Sequence, residues 1–451
     1  MGELLNKKTL PQELVPIICQ DDRYVNNLAY CEGIDRFCFY IESEGYYKIL
    51  ETKELERELF RFIMQRWPKP LSIHFLKDVI GMMKHFIYNR IEDVVSDYIT
   101  INDKTVINMK TFELEEATFQ KHSFYKVNCS VSALESTTLP EIFKNYLEFV
   151  LIDEETKEPD QELITLVQEM FGYYLLNTLE AHAAFFLVGS GGNGKSVMLD
   201  IIQSLIGVQF CQAMSIESLT TNRFSIAELI GKKVNICREE ESKYIKSDKF
   251  KALISGDPVT VEHKYEQSFM WKPTVKYLFA TNEIPTFTGL NEGLTRRIHI
   301  IPFNRRIPEE MKDTKITQKI IDQQEGVLAW ALQGAKKLVQ NNFKFTIPTQ
   351  VIKKKEEFIK NISSAVLYIK ETYEKDENSF ISQDDLYVEY KLWCEKRGKK
   401  AFNFYGFCKD IEFSYDIKPS EGRNNDSEMS YGYKLKRVSF VSKEENIKIE
   451  F

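Results

Sequence analysis

The stretch Gly189-x-x-x-x-Gly194-Lys195-Ser196 pairs residue types with a spacing that specifies chemistry. Glycines let backbone N–H groups converge on phosphate oxygens that side chains would otherwise block. The lysine then reaches β and γ phosphates, and the hydroxyl after it ligates Mg²⁺. Gly189, Ser190, Gly191, Gly192, Asn193, Gly194, Lys195, Ser196 and Val197 are therefore the expected nucleotide contacts, with ATP and Mg²⁺ as cofactors. An ordinary glycine turn is the plainer alternative. The flanks weigh against it: Ala184–Val188 is an apolar run of strand length, and Val197–Ile206 has helical spacing, ended by Gly207. A helix starting there adds its positive dipole end to the anion site.

Four downstream stretches could complete a hydrolytic site. Val234–Cys237 reads as a buried strand, followed by Arg238, Glu239 and Glu240. An acid at such a strand end can hold Mg²⁺ through water and polarise an attacking water. Glu239 is the first candidate for catalysis and metal, with Glu240 beside it; the rival is a solvated helix start. Val275–Ala280 is another apolar strand, ending at Thr281-Asn282. Asn282 could orient the lytic water or sense the γ-phosphate, unless it is only a turn residue ahead of Pro285. Arg296 and Arg297 precede the apolar run Ile298–Ile301. One of them could face a neighbouring subunit's γ-phosphate, the other being a surface charge. Between the second and third strands, Val259–Val261 and Ser268–Trp271 flank a polar tip, which predicts a β-hairpin. His263 and Lys264 on that tip can contact phosphate, although a lone surface hairpin with a lysine is ordinary.

These residues need elements to position them. A length of 451 residues suggests about three domains. We divide the chain at 1–135, 136–345 and 350–451. The first region mixes short strands with helices over Glu54–Trp67 and Ile73–Ile91, and Tyr98–Leu114 reads as a small strand pair. It carries no recognisable chemistry and no paired acids of a primase, so scaffold or oligomer collar is its expected role. The second region holds the phosphate loop, preceded by helical segments Leu139–Val150 and Gln161–Leu179.

The third region reads as two helices and a strand pair, the layout of a winged helix. Ser382 is the expected N-cap, with Asp384 and Asp385 in the first turn. Leu386, Tyr390, Trp393 and Cys394 line one face; Phe402–Ile411 supplies the second helix. Around the turn Lys391, Lys396, Arg397, Lys399, Lys400 and Lys409 outnumber Glu395 and Asp410. That is the electrostatic footprint of duplex DNA binding on an otherwise acidic chain. Asn403 and Tyr405 could reach base edges, and Arg423 a phosphate or the minor groove. A winged helix that binds protein is the alternative, since basic helices are often only solvated faces.

The net charge of −7 provides no overall attraction to nucleic acid, so DNA binding must come from local patches. Eight scattered cysteines form no CxxC pair, which predicts reduced thiols in a cytoplasmic protein rather than zinc or disulfides. No apolar run reaches membrane-spanning length, and the N-terminal MGELLNKKTLPQ lacks a signal core and a myristoylation pattern.

Phosphate loop, acid strand, hairpin, Asn strand and arginine pair follow in order within Gly189–Arg297. With the runs RFSIAELIGKKVNI, SGDPVTVEHKYE, FATNEIPTF and RRIHIIPF, this order closely resembles superfamily 3 helicases of the AAA+ class, the phage- and plasmid-type primase–helicases. The resemblance implies an α/β fold with a parallel-sheet phosphate-loop core, a hexameric ring with ATP between subunits, and pore hairpins gripping single-stranded DNA. It makes Lys195 and Ser196 phosphate and Mg²⁺ groups, Glu239 the acid, Asn282 the sensor, Lys264 with His263 the pore contact, and Arg296 or Arg297 the finger in trans. It also implies 3′ to 5′ translocation. The layout is similar to the self-loading replication initiators of staphylococcal pathogenicity islands. The expected function is an ATP-driven replicative DNA helicase that binds origin duplex through its winged helix. The rivals are an AAA+ remodeller of proteins and a nucleotide-gated DNA-binding regulator. Glu239, Asn282 and the arginine pair speak against the second.

Overall fold

The computed structural model describes residues 10–438 apart from 67–70, 103, 135–137, 223, 241–243, 263–266, 289–291, 361–363, 399–400, 416 and 424–427. Its described residues gather into two compact units. One is drawn from Met1–Glu241, Lys249–Glu283 and Arg296–Ile352, the other from Ser242–Asp248, Ile284–Thr295 and Lys353–Phe451.

The first unit opens with helices Pro11–Cys19, Thr52–Arg66 and Ile73–Phe86, whose apolar faces share a core of Leu14, Ile18, Leu59, Phe62, Val79 and Met83. The helix expected to run to Ile91 stops at Phe86, because Arg90–Ile91 is taken up as a strand beside Tyr30 and Cys31. The strand pair expected after Tyr98 is Tyr98–Ile101 with Thr105–Asn108, extended by a third strand, Leu114–Glu116.

Ile99, Ile101 and Ile107 join the core of the phosphate-loop sheet. That sheet contains β1 (Ala184–Val188), β2 (Cys211–Gln212), β3 (Val234–Cys237), β4 (Lys276–Thr281) and β5 (Ile298–Pro302). All pairs are parallel, in the order β5-β1-β4-β3-β2. The strands are apolar on both faces because helices cover both faces of a parallel sheet. Their residues Phe185, Leu187, Ile236, Leu278 and Ile301 are buried. The expected hairpin forms between β3 and β4: Val259–Val261 pairs antiparallel with Phe269–Trp271, burying Val261 and Trp271. His263 and Lys264, on its tip, lie outside the described residues.

Helices α1 (Glu141–Val150), α2 (Gln161–Leu175), α3 (Lys195–Ile206) and α4 (Gln324–Gln340) complete this region. α2 and α4 cross backbone to backbone. A Cβ on Gly172 would lie 2.1 Å from the Ala335 nitrogen, and one on Gly334 would lie 2.1 Å from the Gln168 oxygen. Gly172→Ala should therefore cost at least the ~1–3 kcal/mol typical of an overpacked core. A urea midpoint equal to wild type would show that the helices can part cheaply.

Below the sheet, Lys233 Nζ donates to the Leu175 and Leu176 oxygens at 2.9 and 3.1 Å, and Lys276 Nζ also donates to the Leu176 oxygen. The two amines cap the carboxyl end of α2. Burial pushes Lys276 down to about 7. Burial, then the neighbouring Lys276, holds Lys233 well below the usual lysine range.

In the second unit α5 (Ser364–Thr372), α6 (Gln383–Lys396) and α7 (Phe404–Tyr415) pack around Leu386, Tyr390, Cys394, Phe407 and Ile411. Beside them Met429–Tyr433 pairs antiparallel with Ile381–Ser382 and with Ser420–Arg423. Ser382 is the N-cap of α6, its hydroxyl accepting from the Asp385 N–H at 3.1 Å. No helix among the described residues is long and apolar enough to cross a membrane.

Candidate active site

The loop Gly189–Gly194 leaves β1 at the carboxyl edge of the parallel sheet, where ligands of open parallel sheets collect. Gly192 and Gly194 take φ of 74° and 92°, which suits glycine. A Cβ on Gly189 would lie 2.3 Å from the Phe303 oxygen. α3 begins at Lys195. Its Nζ donates to the Gly189 oxygen and, at 3.2 Å, to Asn193 Oδ1. Burial pushes this amine below the usual lysine range. Asn193 is buried and donates through Nδ2 to the Phe303 oxygen at 2.8 Å, so it braces the loop from within. Ser196 is exposed beside it.

A cavity of about 600 Å³ opens onto this loop. One wall is α1, through Ile142, Asn145, Tyr146 and Phe149; another is the segment through Ile307, Met311 and Ile316. Ile142, Tyr146 and Phe149 follow helical spacing, so this stripe overlaps the helix's buried face of Phe143, Tyr146, Leu147 and Val150. The Tyr146 hydroxyl donates to the Gly194 oxygen at 2.9 Å, which fixes α1 against the loop. Neither wall was among the residues expected from the sequence.

The other candidates divide between two edges of the sheet. At the carboxyl edge, Asn282 follows Thr281, whose carbonyl accepts from the Gly189 N–H at 3.3 Å. Asn282 is exposed next to the start of the loop. Glu239 and Glu240 differ sharply. Glu239 is exposed, whereas Glu240 is 4% exposed and accepts from the Ile216 N–H at 2.7 Å, at the start of the short helix Ile216–Thr221. Arg238 pairs with Asp200 at 2.6 Å and reaches Gln203 at 2.5 Å, both on α3. Among the described residues no three His, Cys, Asp or Glu side chains gather as a metal cluster. A Mg²⁺ ion at this edge would be held by Ser196, Glu239, water and phosphate oxygens, as suits that ion.

Arg296 and Arg297 stand at the opposite edge. The Arg297 carbonyl accepts from the N–H of Ala184, the first residue of β1, at 2.8 Å. Roughly 15 Å of strand separates that point from the loop. Arg296 is exposed and Arg297 is 8% exposed. Burial, then the nearby Arg296, lowers the Arg297 pKa against the opposing pull of Asp257.

In the second unit, Tyr405 is 74% exposed on α7, with Lys409 Nζ 6.0 Å from its ring centre. Asn403 accepts through Oδ1 from the Gly406 N–H at 2.8 Å and so caps α7. Arg423 is exposed at the end of its strand. Arg397 pairs with Glu371 at 2.8 Å. Burial raises the Asp410 carboxyl to about 7. Lys399 and Lys400 lie outside the described residues.

Residues 187–297 match a family of unknown function (DUF5906). The chain is similar to the protein named "Putative helicase L207/L206" of Acanthamoeba polyphaga mimivirus, 28% identical over 187 residues, 40% of this chain and 19% of that protein. It is also similar to "Putative helicase 121R" of Invertebrate iridescent virus 3, 25% identical over 256 residues, 47% of this chain and 26% of that protein. The chain thus spans about a fifth to a quarter of the length of these curated relatives. Among solved structures, the apo A form of the NrS-1 C-terminal region aligns with a TM-score of 0.48 and 14% identity, over 91% of this chain and 88% of that one.

Proposed function

We propose that this chain is the motor of an ATP-driven DNA helicase, of the AAA+ superfamily 3 type, that acts as a ring in replication initiation. The observation that carries the reading is the division of polar groups between the sheet's two edges. The phosphate loop, Glu239 and Asn282 share the carboxyl edge, while the arginine pair stands at the far edge, beyond reach of its own loop. If Arg296 or Arg297 serves such a loop, it must be the loop of a second copy, which favours an oligomer with nucleotide between subunits. The matches to viral proteins named as helicases support the nucleic-acid side of the reading.

In this reading residues 1–135 form the collar, 136–345 the motor and 350–451 a winged helix that binds origin duplex. Its three helices and three-stranded antiparallel sheet support that assignment, as do exposed Tyr405, Lys409 and Arg423. His263 and Lys264 are the proposed pore contacts to single-stranded DNA, with movement 3′ to 5′. The layout favours an initiator like those of staphylococcal pathogenicity islands. An ATPase assay with and without single-stranded DNA, alongside light scattering, tests the core of the proposal. We expect a hexamer-sized species whose hydrolysis rises with DNA. A monomer, or hydrolysis indifferent to DNA, would favour the protein remodeller or the nucleotide-gated regulator.

A further inference from the structure

The segment after β5 is fastened by three hydrogen bonds, one to the end of β1 and two to the phosphate loop. Phe303 N–H donates to the Val188 oxygen at 2.7 Å, Asn193 Nδ2 to the Phe303 oxygen at 2.8 Å, and Ile307 N–H to the Gly192 oxygen at 2.8 Å. The chain between Phe303 and Ile307 therefore has little freedom, and it carries Arg305 and Arg306. These two arginines differ in what they face. The Arg305 guanidinium lies over the Phe149 ring, 4.0 Å from its centre. Arg306 lies beside the loop at Gly192: a Cβ there would be 3.9 Å from both its Cγ and its Nε. Lys312, on the cavity wall, is already paired with Glu309. Arg306 is exposed, and among the described residues no carboxylate pairs with it.

We propose that Arg306 is a second cationic contact to the nucleotide's phosphates, supplied by the same subunit whose loop holds them. The inference rests on the nucleotide reading of the loop. A guanidinium offers several donors in a planar fork matched to phosphate oxygens, and Lys195 alone cannot satisfy the outer oxygens of a triphosphate. Arg306 comes from the loop's own subunit, whereas Arg296 would come from a neighbour. The two are separable by experiment.

The test is titration of the full-length chain with Mg²⁺ and either a non-hydrolysable ATP analogue or ADP. Arg306→Ala should weaken triphosphate binding by about tenfold to a hundredfold. Diphosphate binding should weaken less, because fewer anionic oxygens are lost. Arg306→Lys should recover part of the loss, and Arg306→Met, which keeps the stem without the charge, should not. A subunit-mixing assay adds a second reading. Arg306→Ala chains mixed with Lys195→Ala chains should recover no ATPase activity, since neither chain has a sound loop and a sound cis arginine together. If Arg306→Ala binds the triphosphate within threefold of wild type, or if Arg306→Met performs as well as Arg306→Lys, the phosphate contact is wrong. A wild-type chain that bound neither nucleotide would instead overturn the nucleotide reading and take this inference with it.

Discussion

Lys195→Ala should reduce ATP turnover to below about 1% of wild type, the loss expected when a charge-stabilising donor leaves a phosphoryl-transfer site. The lysine's position makes the effect local. Its Nζ already points back into the loop, at the Gly189 oxygen and Asn193 Oδ1, so removing it leaves no other ammonium among the loop residues. The fold should survive, because Asn193 keeps its bond to Phe303 and Tyr146 keeps its bond to Gly194. Glu239→Gln should behave differently: ATP remains bound, and hydrolysis slows by about a hundredfold or more, as when a general base is lost. The contrast with Glu240 sharpens the assignment. The Glu240 carboxylate is buried and engaged with the Ile216 N–H, so Glu240→Gln should show in the melting temperature before it shows in chemistry. Steady-state hydrolysis, nucleotide binding and thermal melts on the three variants separate these outcomes. Wild-type turnover by Glu239→Gln with loss of turnover by a stably folded Glu240→Gln would transfer the role to Glu240.

Much of this site was legible because its elements are short and strongly patterned. Ala184–Val188 and Val234–Cys237 appear as strands with the ends expected, since each is a short, mostly apolar run followed by a glycine or charged residue. The hairpin after Pro258 was legible from two short runs flanking a polar tip. What stayed hidden depends on long-range packing. The apolar stripe of Ile142, Tyr146 and Phe149 looks like ordinary core spacing; only the fold turns it toward the loop. Arg305 and Arg306 follow an apolar strand as any surface charges might, and their closeness to Phe149 and Gly192 comes from bonds spanning about a hundred residues. Lys233 and Lys276 gave no sign of burial, because a charged residue at a strand start is normally solvated. The carboxyl end of α2 supplies the carbonyls that make their burial tolerable. Glu239 and Glu240 are chemically identical neighbours, and only tertiary bonds, from the Glu240 N–H to the Ala280 oxygen and from the Ile216 N–H to the Glu240 carboxylate, turn one inward and leave the other outward.

Mixing two inactive variants should restore activity if an arginine acts across subunits. Arg296→Ala should lose about a thousandfold or more in turnover, the range for a finger that neutralises transition-state charge in trans. Arg297 is the weaker candidate. It is nearly buried, its carbonyl is tied to the start of β1, and burial already disfavours its charge. Arg297→Ala should accordingly lower stability, while Arg296→Ala should leave the melting temperature near wild type. In a head-to-tail ring each interface takes its loop from one subunit and its finger from the next. When Arg296→Ala and Lys195→Ala chains mix at equal amounts and at random, about a quarter of interfaces should receive a sound loop and a sound finger. Activity should then rise to about a quarter of wild type, from two parents that are each nearly inactive. Arg306→Ala in place of Arg296→Ala should give no such rise, because its defect lies on the same chain as its loop. Co-purification of differently tagged chains shows whether mixed rings have formed. Mixed rings without recovery would place the Arg296 defect within its own subunit, and the two edges of the sheet would then serve separate purposes.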